Sequence, residues 1–457
     1  MGHFMDIIIS PNDKLLTLLS LLAKKRVIVR NLTQFINNNS FFCEDNLIGK
    51  KQFKCSEFNF HTKTSTGHII FNTLYNTLVR LSASEYVQYR KNQCNNTQLE
   101  NDFVKNGLWV IKELQERKKY QELCNLILKE GDGPLNLTVT TTLECNAHCP
   151  YCYERELRHS KMPLESIDGI INFVKHYNFS KGIELTWFGG EPLMNTPFMD
   201  LLSRRFRREH INFSSYLITN GSLLTEELIH HNINKWNIKK VQISFDGTRK
   251  RYEQTKRFDN TKLGFQTIIS SIHSLAKKGL NVHLRLNICY DNRDDIIKLT
   301  RYLDNEFSSY SSVYFYPAFI TGERRKLGER ERLKFIKELF KCVRDPRKLT
   351  FASRFHSLPR FCSCHATNPM SFTIDVYGNI FTCEHYVGRQ HKAIGNIFSL
   401  EKVRDSRGKQ SSRVFFEKCN TCVFFPKCQG GCSANRDSKD IPCFIDSYII
   451  RAYLSLL

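Results

Sequence analysis

Cys145-Asn-Ala-His-Cys149-Pro-Tyr-Cys152-Tyr153 sets three cysteines at C-x3-C-x2-C spacing on one short stretch. Three such thiolates suit a cubane of iron and sulfide, which normally takes four. No fourth cysteine lies within the next hundred residues, so one iron would be open to a ligand from outside the chain. Two plainer readings fit the triplet taken alone. It could supply three ligands of a structural zinc, completed by His148 or His159, or be three ordinary buried thiols.

Working outward, short β-branched or aromatic runs alternate with helical segments from Leu135 onward. Asn136–Thr141, Ile183–Phe188, Tyr216–Thr219, Val241–Phe245, Val282–Ile288 and Val313–Tyr316 read as strands. Leu164–His176, Pro197–Arg208, Glu226–Asn232, Phe265–Lys278 and Asp294–Tyr302 read as the helices between them. Thr196 before Pro197 marks a helix start, and Gly279 after Lys278 a helix stop. Six βα units in series predict an α/β fold with a parallel sheet, closed or nearly closed as a barrel, and helices outside it.

Such folds carry their chemistry at the carboxyl ends of the strands. The first strand runs into the cysteine triplet. The second ends in Trp187-Phe-Gly189-Gly190-Glu191-Pro192, where two glycines permit close backbone approach and a carboxylate follows. The third ends in Thr219-Asn220-Gly221 and the fourth in Ser244-Phe-Asp246-Gly247, either of which could be a plain turn. Arg285 and Asn287 stand on the fifth strand.

A second cysteine frame fills the last hundred residues: Cys364, Gly378, Cys383, then Cys419-x2-Cys422-x5-Cys428-x3-Cys432, and Cys443. By spacing alone it could hold one or two zincs as knuckles.

The triplet, with an aromatic residue before its last cysteine, resembles that of radical SAM enzymes, and the resemblance covers most of the chain. It implies a partial (β/α)6 barrel whose open iron chelates the amino and carboxylate groups of S-adenosylmethionine (SAM). Reductive cleavage of SAM would then give a 5′-deoxyadenosyl radical that takes a hydrogen from the substrate. Gly189-Gly190-Glu191-Pro192 matches the family's GGEP motif, implying contact with the SAM amino group. Asn220, Ser244, Asp246, Arg257 and Asn287, with Arg285 similarly placed, are implied beside the ribose and methionine carboxylate, and Tyr151 near the adenine.

The carboxy-terminal frame resembles the SPASM domain, which houses two auxiliary [4Fe-4S] clusters. The resemblance implies that Cys419, Cys422, Cys428 and Cys443 hold one, and Cys364, Cys383 and Cys432 part of the other. Cys362 is the nearest candidate for the missing ligand, and the alternative is an open iron. The implied cofactors are therefore SAM and three [4Fe-4S] clusters, with an external electron donor such as flavodoxin or ferredoxin. Glu384 follows Cys383 where sulfatase maturases have an aspartate used as the base, and His385 competes with it for that role.

Residues 1–133 read as a small α+β domain without metal spacing; Cys43, Cys55, Cys94 and Cys124 are scattered, as ordinary thiols are. His68-Ile-Ile-Phe reads as a strand, and Ser82 or Ser84 can cap a helix through Tyr89. Asn101–Lys105, ending at Gly107, and Glu113–Lys129, ending at Gly131, read as further helices. Gly131-Asp-Gly-Pro134 makes a boundary. The barrel is expected over 134–327, a linking region over 328–360 with the amphipathic helix Glu329–Val343, and the cysteine-rich domain over 361–457. Gly67–Tyr86 looks like the amino-terminal part of peptide maturases, which implies that this domain holds a leader peptide, captured as an added strand.

The formal charge of +22 is spread along the chain, and clusters with thiolate ligands would offset about five of those charges. The rest favours an anionic partner such as an acidic peptide or RNA. Arg204-Arg205-Phe-Arg207-Arg208 and Arg324-Arg325-Lys326 are the best support for an RNA-modifying enzyme or a zinc-containing nucleic-acid protein, although basic stretches on helices are commonly solvated faces. Seventeen cysteines bunched at ligand spacings in a long chain point to a reducing compartment, the cytoplasm. The apolar run Leu15–Ala23 is too short to cross a membrane and reads as a buried helix. The resemblance implies a maturase of ribosomally made peptides that forges thioether or carbon-carbon crosslinks. Its alternative within the family is formylglycine formation in sulfatases.

Overall fold

The computed structural model describes residues 6–9, 52–65, 67–130, 134–157, 159–176, 181–260, 264–320, 327–350, 359–360, 364–400, 417–432 and 445–454, and their side chains except at 6–9, 126–130, 329 and 445–448. Leu15–Ala23, Cys43, Gly131 to Gly133, Arg324-Arg325-Lys326, Cys362 and Cys443 lie outside the described residues.

The first unit contains a four-stranded antiparallel sheet in the order β1 (Asp6–Ile9), β5 (Thr77–Leu81), β4 (Gly67–Asn72), β3 (Asn59–Thr64). A separate ribbon pairs β2 (Phe53–Cys55) with β6 (Trp109–Ile111). Successive side chains of a strand point to opposite faces, and β4 and β5 are apolar on both. Ile70, Val79 and Leu81 pack with Tyr89, Leu99 and Phe103 of helices α1 (Ala83–Lys91) and α2 (Thr97–Lys105) and with Trp109. Ile69, Phe71 and Leu78 pack with Phe424, Ile450 and Leu454 from the far end of the chain. Ser82, rather than Ser84, caps α1. Its hydroxyl accepts from Glu85 N at 3.3 Å while the Glu85 carboxylate accepts from Ser82 N at 2.7 Å, a reciprocal capping box. Helix α3 (Glu116–Glu130) follows β6.

The second unit is built on six parallel strands in chain order: β7 (Leu135–Thr142), β8 (Ile183–Gly189), β9 (Phe213–Thr219), β10 (Ile238–Phe245), β11 (Asn281–Ile288) and β12 (Val313–Phe319). Between them run α4 (Ser166–His176), α5 (Thr196–Arg208), α6 (Glu226–Asn232), α7 (Arg249–Lys256), α8 (Phe265–Lys277) and α9 (Arg293–Glu306), with α10 (Glu329–Phe340) after β12. All the expected elements are present, mostly with longer ends. Helix α7 is additional: Arg-Lys-Arg-Tyr-Glu-Gln-Thr-Lys has no apolar period, and only Tyr252 and Lys256, four residues apart, are buried.

Of the closed and nearly closed alternatives, the sheet takes the one without closure, since β12 and β7 are not paired. Strand β12 pairs with β11, and the other side of β7 is occupied in parallel by β13 (Ser371–Ile374), followed antiparallel by β14 (Asn379–Phe381) and β15 (Gly395–Asn396). The turn between β13 and β14 requires Gly378: its φ is +78°, and a Cβ would stand 2.8 Å from Ile397 and 2.9 Å from Phe398.

Residues 1–132, 353–364 and 410–457 cluster as the first unit, and 133–352 with 365–409 as the second. This grouping differs from a division in chain order, which makes 361–457 one domain. Its physical reason is local. Phe372 and Ile374 are buried on a strand paired to β7, whereas Phe424 and Phe425 are buried in the cores beneath the amino-terminal strands. No helix among the described residues is long and apolar enough to cross a membrane.

Candidate functional site

The cysteine triplet leaves the end of β7 on a loop stitched to the segment after α7. His148 N donates to Lys256 O at 2.7 Å, Asp259 N donates to Asn146 O at 3.1 Å, and Ala147 bridges Phe258. Cys145, Cys149 and Cys152 are all half-buried. Burial pushes the Cys145 thiol up to about 12, with Glu191 and Cys149 adding to the effect and the Ala147 N–H opposing it. Burial raises Cys152 as well, and Cys149 adds to it, so the middle thiol acts on both of its neighbours. His148 is engaged elsewhere, its Nε2 lying 2.5 Å from the Asp259 carboxylate, and His159 is exposed. Among the described residues no three Cys, His, Asp or Glu side chains are already gathered tightly enough to hold a metal. The fit to a cluster rests on the donor set, which is three thiols on one loop.

The glycine pair meets the chain's own backbone. Gly189 has φ +138°, and a Cβ there would stand 2.0 Å from Thr142 O; at Gly190 it would stand 2.4 Å from Glu144 O. Gly190 N donates to Thr142 O at 3.0 Å and Glu191 N to Glu144 O at 2.8 Å, so the end of β8 clamps the start of the cysteine loop. Glu191 is fully buried, and its carboxylate accepts from Thr219 Oγ1 at 2.7 Å, Asn220 N at 2.8 Å and Leu193 N at 3.2 Å. Burial pushes this carboxyl up to about 7, against those hydrogen bonds. Glu191 thus ties the end of β8 to that of β9. Asn220, fixed in turn, donates Nδ2 to Asn146 Oδ1 at 2.9 Å and to Cys145 Sγ at 3.8 Å.

At the ends of β10 and β11 a buried polar network forms. Tyr151 donates its hydroxyl to Asp246 Oδ1, and Asn287 Nδ2 donates to Tyr151 Oη at 3.0 Å and to Asp246 Oδ1 at 3.1 Å. Arg285 Nε donates to Asn287 Oδ1 at 3.0 Å. Lys256 Nζ donates to Ser244 Oγ at 2.7 Å and lies 3.3 Å from Asp246 Oδ2. Burial alone would discharge Lys256, but Asp246, Tyr151 and Cys149 outweigh it and hold the ammonium well above the usual lysine range. Arg257 is exposed and donates Nε to Gln254 O at 3.1 Å. The inward cation is therefore Lys256, which the sequence reading missed; its one signal is the four-residue step from Tyr252. Asp246 Oδ2 is buried with no hydrogen bond and is held by the Lys256 ammonium at 3.3 Å, so the carboxylate keeps spare acceptor capacity beside Tyr151 and Asn287 that suits a ligand rich in hydroxyl and amino donors such as SAM.

The other candidate pair lies on the segment after the triplet. The His385 ring is 5.7 Å from that of Tyr153, and a Cβ on Gly388 would stand 2.3 Å from Leu157. His385 N donates to Cys383 Sγ at 3.4 Å, and Glu384 Oε2 is 3.6 Å from the same sulfur. Burial, then Arg389, lowers the His385 pKa, against the pull of Glu384, so the ring is a neutral proton acceptor at pH 7.

In the first unit, Cys419, Cys422, Cys428 and Cys432 are half-buried, and Cys422 N donates to Cys419 O at 3.3 Å in a tight knuckle. Cys364 falls in this unit and Cys383 in the other. Half of the Arg204–Arg208 stretch is used internally. Arg205 bonds Asp168 at 2.9 Å, while Arg207 donates to Asn234 O at 3.1 Å and lies over Phe213.

Residues 139–303, from within β7 into α9, match the family model of the Radical SAM superfamily. This stretch is therefore a radical SAM domain, of the superfamily whose chemistry runs through SAM and a [4Fe-4S] cluster. Among curated relatives it is 22% identical to the cysteine-type anaerobic sulfatase-maturating enzyme of Clostridium novyi, over 64% of this chain and 86% of that one. It is 24% identical to the radical SAM cyclopropyl synthase TigE of Paramaledivibacter caminithermalis, over 34% of this chain and 37% of that one. The solved structure of native anSMEcpe with bound AdoMet shares the fold, with a TM-score of 0.56 and 19% identity, over 70% of this chain and 96% of that one.

Proposed function

We propose that this enzyme matures a ribosomally made peptide, installing a thioether or carbon-carbon crosslink or another oxidative change. The observation that carries the reading is the tilted ring contact of His385 with Tyr153, which brings a neutral imidazole and the Glu384 carboxylate onto the segment that follows the triplet. Bound SAM and its cluster supply abstraction of a hydrogen atom. Cys145, Cys149 and Cys152 hold the cluster, and Asn220 orients Cys145 by its N–H···S contact. Tyr151, Ser244, Asp246, Lys256 and Asn287 form the wall against which SAM is set. The oxidised substrate must then release an electron and a proton; Glu384 Oε2 or a ring nitrogen of His385 takes the proton. Cys364, Cys383, Cys419, Cys422, Cys428, Cys432 and Cys443 would hold auxiliary clusters, which would supply an acceptor for the electron, with a flavodoxin or ferredoxin as the outside reductant.

The leader would be held by the amino-terminal unit. Both faces of its sheet are covered, so an added strand has only an edge to join. Strand β3 pairs with β4 alone among the described strands. Sulfatase maturation is the second reading, favoured by the 86% coverage of the Clostridium novyi enzyme. Anaerobic co-expression with any short peptide encoded beside this chain, followed by mass spectrometry, separates them. A mass loss in the core peptide, dependent on Cys145, supports peptide maturation. An unmodified peptide together with formylglycine in a co-expressed sulfatase overturns it.

A further inference from the structure

One side chain of the amino-terminal domain grips the last cysteine frame. Arg117, whose side chain is 12% exposed, donates Nη1 to Cys419 O and Nη2 to Cys422 O, each at 3.2 Å, and Nε to Glu57 at 2.9 Å. Its guanidinium carbon lies 4.7 Å from the ring centre of Phe58 and 5.6 Å from that of Phe425. The fork thus spans both carbonyls of a C-x2-C knuckle, a pairing that a flexible ammonium cannot reproduce. The surrounding contacts are of one kind. Thr73 donates its hydroxyl to Val423 O, Tyr120 donates to Pro426 O at 3.2 Å, Gln429 Nε2 donates to Tyr120 Oη at 2.8 Å, and Lys427 Nζ donates to Asn76 Oδ1 at 2.6 Å.

We propose that Arg117 is the positioning residue of the metal site built on Cys419 and Cys422. It fixes the carbonyls of both ligand residues and so keeps the knuckle in ligating shape. Its permanent positive charge favours the more negatively charged, reduced state of the metal bound there. The inference rests on the reading above that these cysteines hold an iron-sulfur cluster. It makes the amino-terminal domain a structural part of that centre, whichever peptide the domain binds.

The test uses full-length protein reconstituted anaerobically, as wild type, Arg117→Gln, Arg117→Lys and Cys419→Ala/Cys422→Ala. Iron release to a chelator and midpoint potentials by EPR-monitored titration are measured, with the triplet's cluster as internal reference. We expect Arg117→Gln to release iron about 10-fold faster, the scale of a lost partner behind a ligand, and to lower the auxiliary midpoint while leaving the reference signal unchanged. Arg117→Lys should restore the midpoint but not the release rate. If the double cysteine variant keeps the full wild-type iron content, the cluster reading itself fails. If that variant loses iron but Arg117→Gln matches wild type in both measures, the role of Arg117 is overturned. Should Arg117→Gln not fold, Arg117→Lys decides: release at the wild-type rate overturns the proposal, and faster release at an unchanged midpoint supports it.

Discussion

Lys256 and Asp246 form an ion pair, Nζ to Oδ2 3.3 Å apart, with side chains only 3% and 2% exposed. Removing one member of a buried pair leaves the other charge uncompensated, at a cost of about 3–5 kcal/mol. Lys256→Met should therefore lower the melting temperature of the barrel unit and weaken SAM binding, whereas Lys256→Arg should retain part of both. Because the Lys256 pKa is raised, the pair's contribution is present at neutral pH and is lost only as pH rises beyond the ordinary lysine range, near 10.4. Calorimetry and SAM titration of the two variants check this. A Met variant as stable as wild type would remove the pair from the account.

Glu191 sets a pH dependence of its own. Its carboxyl is raised by burial from 4.5 to about 7, so the folded state holds the proton more tightly than the unfolded state. Its stability contribution is complete below about pH 4.5 and is lost as pH rises through about 7. The melting temperature of wild type should fall over that window, and Glu191→Gln should flatten the slope. Melts of both proteins at pH 5, 6, 7 and 8 decide it, and parallel slopes would assign the dependence to other groups.

Replacing Cys145, Cys149 and Cys152 by alanine should abolish 5′-deoxyadenosine formation under dithionite. It should also remove about four of the roughly 12 irons that three cubanes imply. Iron and sulfide assays beside product chromatography give both numbers. Wild type that plateaus near four irons, with zinc making up the rest, would reduce the carboxy-terminal frame to a structural zinc module.

Deleting residues 1–133 is not a clean test of leader binding. Phe424 and Phe425 lie in cores completed by Phe58, Phe71 and Tyr120, so the truncation should bare them and, on the proposed reading of Cys419 and Cys422 as cluster ligands, release iron. Increased dye binding and a lower iron content are expected. A truncated protein with full iron would show that the carboxy-terminal residues fold without that partner.

Glu384→Gln should keep SAM cleavage and move deuterium from labelled peptide into 5′-deoxyadenosine, yet lose about 10² or more in product, the scale of a removed general base. Product formed at the parental rate would move the base to His385, and His385→Gln would then carry the loss.

Strands β8 and β11 were legible because buried apolar residues alternate in them with more exposed ones, Ile183, Leu185 and Trp187 in the first and Val282, Leu284 and Leu286 in the second, and β7 because Leu135, Leu137 and Val139 keep the same step of two. So were the triplet and the glycine pair, whose spacing is local. Strands β13, β14 and β15, at four, three and two residues, are too short for a period to register. Lys256 escaped because α7 is polar all round, and residue type favoured its neighbour Arg257, which the turn of the helix places outside. The grip of Arg117 on Cys419 and Cys422 joins positions about three hundred apart in the chain, a separation that no pattern in either segment encodes.

The apolar face of Ile69, Phe71 and Leu78 is covered by Phe424, Ile450 and Leu454, which the ribosome makes more than three hundred residues later. At about 5–20 residues per second, the sheet waits on the order of tens of seconds between its own synthesis and the arrival of its cover. For that interval the nascent protein presents a bare greasy surface to the cell. This sheet therefore matures long after it emerges, and a chaperone able to shield those three side chains should raise the yield of intact enzyme.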